Sequence, residues 1–302
     1  TGGDGADTSV GGSGDDTLDG DAGNDSVTGG AGDDIITGGA GNDTVTGGDG
    51  DDTITLAAGN DNVDGGAGDD TFTLTTQLTS DDTLAGGEGD DIVNIGAATV
   101  DADFTNVTSV ETMQMNGTGT YTISTLADAA GVRTVTASTD AAYTLAGTGY
   151  TSALTVDLRT PANKADSATT GSGDDIFIFD GTTGLEDGDI IVAGLGTDTI
   201  QLDNSAGAVT AVLDLDDVSG VENVTITDDD GGDATAAQAV SLTFSAVAEA
   251  TEQTITVSGA AITDSNDDLT VDGSNNATVT TKFNITGGAG DDILTGGDGQ
   301  DT

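Results

Sequence analysis

The chain has 302 residues, 55 acidic side chains against four basic ones, no His, no Cys and a formal net charge of -51. That charge excludes electrostatic binding to nucleic-acid phosphates or anionic membranes, and the missing Cys and His remove the usual ligands of zinc, iron–sulfur and haem sites. Membrane insertion is not expected: no apolar run approaches the roughly 20 residues of a bilayer span, and residues 189–196 hold a typical short stretch. Disorder is a poor reading, because hydrophobic residues make up 34%, Pro occurs once, and the acids are nearly all Asp rather than Glu. Asp next to Gly is the chemistry of turns and metal loops. Aromatics at 3% point to a thin, repetitive core.

From Gly2 to Thr73 the chain repeats every nine residues. Gly11 to Asp19 reads GGSGDDTLD, Gly29 to Thr37 reads GGAGDDIIT, and Gly38 to Thr46 reads GGAGNDTVT. The sixth position is always Asp: Asp7, Asp16, Asp25, Asp34, Asp43, Asp52, Asp61 and Asp70. The eighth is Ser9, then Leu18, Val27, Ile36, Val45, Ile54, Val63 and Phe72, apolar in every copy but the first. Polar neighbours on both sides, such as Thr44 and Thr46, make a short alternating pattern. Alternation with β-branched Thr predicts a strand whose apolar residue faces inward. Gly in the loop supplies positive φ and lets carbonyls converge on an ion. Leu56-Ala57 and Asp21 interrupt the Gly pairs, so weaker binding is expected in those loops.

The register breaks after Thr73 and resumes at Asp82 and in Gly86 to Asn94, which carries Asp91. Single copies return around Asp175, Asp198 and Asp292, and the last, ending at Asp301 and Thr302, stops in mid-repeat. The chain is expected to be one section of a longer protein. Between these copies lie Thr/Ala/Val-rich stretches that are themselves duplicated. Residues 104–115 (FTNVTSVETMQM) match 215–226 (LDDVSGVENVTI), and 121–129 match 242–250. Short strands are predicted over 92–95, 113–115, 121–123, 134–136 and 154–158, with a helical turn at 126–130 and another at 247–250. The expected division is an array over 1–94, a first module over 95–175 and a second over 176–302. The modules read as further rungs of one solenoid, with a separate β-sandwich per module as the rival.

The nonapeptides resemble the RTX (repeat-in-toxin) calcium-binding repeat, Gly-Gly-x-Gly-x-Asp-x-apolar-x. The intervening modules more loosely resemble RTX-bearing bacterial surface-layer proteins. The resemblance implies an all-β fold, a right-handed parallel β-roll or β-solenoid with Ca²⁺ between successive loops, continued by two tandem β modules. It implies metal ligation by the sixth-position Asp set and by Asp82, Asp91, Asp175, Asp198, Asp292 and Asp301. A site between the copies starting at Gly11 and Gly29 would use carbonyls of Gly12, Gly14, Gly29 and Ala31 with Asp16 and Asp34. Gly30, Gly32, Gly47 and Asp49 are candidates likewise. Roughly six inter-loop sites are expected in the array. An oxygen-only set selects a hard cation, and flexible loops of carbonyls and carboxylates suit Ca²⁺ better than Mg²⁺.

Carboxylates about 5 Å apart repel by roughly 3 kcal/mol at an effective dielectric near 20. A core of one apolar residue per nonapeptide does not offset this together with an ordering entropy of about 1.5 kcal/mol per residue. Folding is therefore expected to require the metal. Asp15, Asp33, Asp51 and Asp69, at position five, read as surface charge. Asp228, Asp229 and Asp230 read as a solvated loop, Glu111 and Glu222 as turn or interface contacts, and Arg133, Arg159, Lys164 and Lys282 as local surface pairs.

No triad, zinc-protease helix or phosphate loop is present in a chain without His, so no enzyme is expected. The leading expectation is a secreted, extracellular structural protein of a surface layer or filament, self-assembling on Ca²⁺. Its partners would be copies of itself and cell-surface glycan, with type I secretion implied by the resemblance. An adhesin stalk or ligand-binding module, or the calcium-folding tail of a type I secreted enzyme, are the alternatives. An ice-binding variant is disfavoured because Asp19, Ile35, Asn62 and Asp64 interrupt the outward Thr ladder.

Overall fold

The computed structural model describes residues 2–75, 78–96, 101–138, 142–159, 166–180, 189–203, 210–213, 218–227, 239–244, 253–260, 262, 268–274, 281–297 and 301–302. The fold is a parallel β-solenoid, and every strand pairing given below is parallel. It divides into two compact units, residues 1–139 with 145–151, and residues 140–144 with 152–302.

In the first unit, alternate nonapeptides stack into two facing sheets. One contains Thr17–Asp19, Ile35–Thr37, Thr53–Leu56, Thr71–Leu74, Ile92–Ile95, Thr112–Met115 and Thr134–Ala137, in that spatial order. The other contains Thr8–Ser13, Ser26–Ala31, Thr44–Asp49, Asn62–Ala67, Thr83–Glu88 and Val107–Thr108. Register is set by the eighth position: Leu18 pairs with Ile36, Ile36 with Ile54, Ile54 with Phe72, and Phe72 with Val93. A one-residue slip would turn each of these outward, so the single apolar residue per strand fixes the stacking. Val27, Ile36, Val45, Ile54, Val63 and Phe72 are buried.

Leu56, which stands where a nonapeptide would have its first Gly, changes the cross-section. The strand continues through it, Leu56 pairs with Leu74, and both are buried. Ile95, Met115 and Ala137 extend that second inward column. From this rung on, the sheet buries two residues per strand instead of one. That is how the solenoid continues past the glycine-rich loops: apolar burial replaces loop stacking.

The helix Thr125–Ala130 fulfils the helical turn read from the sequence. Gly131, in the left-handed region at φ 110, caps it through its N–H. Ala127 and Ala130 bury one face of the helix beside Phe104 of the Asp101–Phe104 turn.

The second unit repeats the scheme. Thr155–Asp157, Ile176–Asp180, Asp198–Asp203, Val221–Thr227, Gln253–Ser258 and Thr281–Thr286 pair in succession. Val156, Phe177, Ile200 and Val224 form its inward column, with Phe179, Leu202 and Ile226 as the second. Ser167–Thr169, Ile190–Val192 and Val218–Ser219 belong to a second sheet. Thr210–Leu213, Ala239–Phe244, Asp268–Asp272 and Ile293–Thr295 form a third. The intermodule residues are thus solenoid rungs rather than sandwiches. The helical turn expected at 247–250, Asp228 to Asp230 and Lys164 fall outside the described residues.

Candidate metal centre

Each nonapeptide loop delivers its sixth-position Asp to the edge of a rung, immediately before the strand. Asp25, Asp34, Asp43, Asp52, Asp61, Asp70, Asp82 and Asp91 are all buried there, while Asp7 and Asp16, in the first turn, are half-buried. Their two oxygens have separate roles. Oδ1 accepts the backbone N–H of the Asp one turn earlier. On one edge Asp16 N–H donates to Asp34 at 2.7 Å, Asp34 to Asp52 at 2.8 Å, Asp52 to Asp70 at 2.8 Å and Asp70 to Asp91 at 2.8 Å. On the other, Asp7 donates to Asp25 at 2.8 Å, Asp25 to Asp43 at 2.9 Å, Asp43 to Asp61 at 2.9 Å and Asp61 to Asp82 at 3.0 Å.

Oδ2 turns inward over the first Gly of its own loop. Above Gly11, Asp16 Oδ2 and the Gly29 carbonyl lie 2.6 and 2.7 Å from where a Cβ would stand. Asp34 Oδ2 with the Gly47 carbonyl crowd Gly29 in the same way, as do Asp52 Oδ2 with Gly65 over Gly47 and Asp70 Oδ2 with Gly86 over Gly65. Any side chain at these glycines would fill the cradle. Among the described residues, Oδ2 of Asp7, Asp25, Asp34, Asp43, Asp52, Asp70, Asp91, Asp175 and Asp198 is buried without a hydrogen-bond partner. Buried acceptors are normally satisfied, and a buried carboxylate oxygen needs a positive partner. A hard cation supplies one, so the donor set fits Ca²⁺.

The structure distributes the remaining candidate ligands unevenly. Gly12, Gly14, Gly30 and Gly32 all have positive φ, as the loop requires. Gly29 and Gly47 carbonyls face the carboxylates of Asp16 and Asp34. The Ala31 carbonyl accepts the Gly14 N–H at 2.5 Å and the Asp49 carbonyl accepts the Gly32 N–H at 2.8 Å, so these two tie adjacent loops together. On the edge of Asp7, Asp25 and Asp43 the cradle changes at Leu56: above Gly38 the neighbour is Leu56 Cδ2 in place of a carbonyl. One loop further, Asp82 Oδ2 is taken by the N–H and hydroxyl of Thr79 at 2.9 and 3.0 Å.

In the second unit, Leu154 N–H donates to Asp175 Oδ1 and Asp175 N–H to Asp198 Oδ1, both at 2.8 Å. Asp292 and Asp301 accept from Leu269 and Phe283 N–H at 3.0 and 2.8 Å, and are half-exposed.

Four ladder acids escaped the sequence reading. Glu111 Oε2 accepts the Asp91 N–H at 2.9 Å and Glu222 Oε2 the Asp198 N–H at 2.8 Å. Asp166 accepts from Tyr143 at 2.9 Å and Asp189 from Asp166 at 2.8 Å. Glu111, Asp166 and Asp189 stand just before their strands and Glu222 one residue inside its own, none after a complete Gly-Gly-x-Gly loop, and that placement was the available signal. The fifth-position acids are exposed as expected, yet they form a ladder of opposite sense. Asp33 N–H donates to Asp15, Asp51 to Asp33, Asp69 to Asp51 and Asp90 to Asp69, at 2.8–3.1 Å.

Burial pushes Asp70 up to about 7, and Asp61 and Asp198 up to about 6, against the lowering effect of the donated N–H. Neighbouring carboxylates add to the rise, Asp91 and Asp52 in the case of Asp70. Asp43, Asp52, Asp91 and Asp175 are raised too, again chiefly by burial. The ionised ladder is therefore strained until a cation neutralises it. Two cations make local pairs, Arg133 with Asp128 at 3.1 Å and Arg159 with Asp157 at 2.7 Å and with Asp203.

A glycine pair separates loop strain from loop stacking. Gly30 has φ 129 and its Cα face lies against the Gly12 carbonyl; Gly12 has φ 120 with open space around it. Gly12→Ala should cost only the left-handed penalty of about 1–2 kcal/mol, while Gly30→Ala adds a backbone clash and should cost clearly more. Denaturant unfolding in saturating Ca²⁺ checks the difference, and equal losses would contradict the stacking described.

A family model for the RTX calcium-binding nonapeptide repeat matches four segments, residues 1–36, 37–72, 78–97 and 284–302. The loops at Asp175 and Asp198 lie outside those segments yet have the same ladder geometry. Comparison with curated proteins and with solved structures gave no match.

Proposed function

We propose that this chain, which carries RTX calcium-binding nonapeptide repeats, is a structural segment of a secreted surface layer or extracellular filament that folds and self-assembles on Ca²⁺. The observation that carries the reading is the file of buried carboxylates with unpartnered Oδ2 atoms along the rungs. Such a file is unfavourable alone and favourable with cations, so folding and metal binding become one equilibrium. Millimolar calcium outside a cell would complete it, since extracellular modules bind at roughly 10⁻⁴ to 10⁻³ M. RTX repeats are typical of secreted proteins, which agrees with this location.

Self-assembly is supported by the exposed fifth-position row. Asp15, Asp33, Asp51, Asp69 and Asp90 recur once per turn on one edge. In a chain of net charge -51, such a row repels a second copy until divalent ions bridge the two. No catalytic role is assigned to the chain; copies of itself, and cell-surface glycan, are its proposed partners. Electron microscopy in millimolar Ca²⁺, followed by chelation, tests the reading. Sheets or filaments that dissolve in chelator are expected. Assemblies that persist in chelator would overturn the bridging mechanism, and elongated monomers at every Ca²⁺ concentration would replace self-assembly with a stalk or a carrier tail.

A further inference from the structure

We infer that Glu111 and Glu222 complete two further Ca²⁺ sites, at rungs where the nonapeptide motif has already ended. The inference rests on the calcium reading above and extends it to residues outside the repeat.

The first site lies past the Gly86 loop. Asp91 is 0% exposed and its Oδ2 has no partner. Over Gly86, Asp91 Oδ2 converges with the Ser109 carbonyl, as Asp34 Oδ2 converges with the Gly47 carbonyl over Gly29. Ser109 thus occupies the place of a first-position Gly, and it holds a left-handed φ of 52, rare for a residue with a side chain. In a nonapeptide the Asp stands five positions after the first Gly; here Glu111 stands two positions after Ser109. The loop is shorter by three residues, and the acid is longer by one methylene. Its Oε2 still reaches the Asp91 N–H at 2.9 Å, the bond that the next Asp makes elsewhere on the ladder.

The second unit repeats the acid pair with Ala193 at the place of Gly86, so of the two sites Asp91 alone shows the convergence of carboxylate and carbonyl oxygens. Asp198 is 0% exposed with an unpartnered Oδ2, and Glu222 Oε2 accepts its N–H at 2.8 Å. Gly220, the counterpart of Ser109, has φ 79. The segments 107–111 (VTSVE) and 218–222 (VSGVE) are the shared signature. A glutamate that served only as a turn acceptor would not require a buried, unpaired carboxylate oxygen beside it twice. The ligand is a hard divalent cation held by carboxylate and carbonyl oxygens.

The test counts bound Ca²⁺ in the full chain by equilibrium dialysis. Glu→Gln keeps an acceptor for the N–H and removes the charge. Glu111→Gln and Glu222→Gln should each lose one bound ion per chain, the double variant two, with the array sites retained. Unchanged stoichiometry and affinity in the double variant would overturn the inference, while a wild-type chain that binds no Ca²⁺ would overturn the calcium reading itself. If a variant does not fold, anomalous diffraction from Tb³⁺-loaded wild-type crystals decides. A peak bounded by Asp91, Ser109 and Glu111 is expected, and its absence beside occupied array sites would be fatal to the proposal.

Discussion

Replacing Asp34, Asp52 and Asp70 together by Asn should uncouple folding from calcium along one edge. The Oδ1 ladder survives the change, because the amide oxygen can accept the same N–H. The new amide NH₂ then points at the carbonyls of Gly47, Gly65 and Gly86, where Oδ2 stood. A repulsive oxygen pair becomes a hydrogen bond, and a buried charge disappears. Two opposite effects are expected. The chelated chain should gain strand content, and the affinity of that edge for Ca²⁺ should fall by at least about tenfold, since loss of even an outer-shell partner costs 10–100-fold. Asp33→Asn, Asp51→Asn and Asp69→Asn, on the exposed ladder, should change both quantities little. Circular dichroism across a Ca²⁺ titration reads both, and equal effects from the two triples would contradict the division of labour between the ladders.

Acid should do to the chelated chain what the Asn substitutions do. Asp70 titrates near 7 and Asp61 and Asp198 near 6 in the fold, against 3.8 in an unfolded chain. A raised carboxyl stabilises the fold fully only below its unfolded value, and that stability is lost as pH rises through the folded value. Lowering the pH from about 8 to about 5 in chelator should therefore increase strand content. Over the same interval the Ca²⁺ affinity should fall, because protons and calcium compete for the same oxygens. A metal-free chain equally unfolded at both pH values would show that the buried carboxyls do not control the equilibrium.

What the sequence displayed, and what it hid, follow from one physical difference. Within residues 2–73 the spacing is constant, so Asp34 and Ile36 advertise both loop and strand. The strands over 92–95 and 113–115 were legible, but the column that joins them to Leu56 and Leu74 was hidden, because an apolar residue at the first position looks like a damaged loop. In the fold it is a widened core. Glu111 was hidden because the loop before it shortened and the acid changed type together. Asp166 follows no nearby glycine, and Asp189 keeps Gly184 and Gly188 without the Gly-Gly-x-Gly pattern that marks a nonapeptide. Asp82 resembled a metal ligand in sequence, but the Thr79 hydroxyl and N–H, three residues away, engage its second oxygen. Local tertiary geometry decided each of these, and spacing alone did not reveal it.

On the proposed reading, cations on the buried carboxylate file make the fold possible. X-ray scattering of the purified chain through a Ca²⁺ titration, from chelator to about 10 mM at neutral pH, tests it most directly. An expanded chain is expected in chelator, with a radius of gyration approaching roughly 60 Å as for an unfolded chain of this length, and cooperative compaction as Ca²⁺ rises through the extracellular range. A chain already compact in chelator at neutral pH would contradict it.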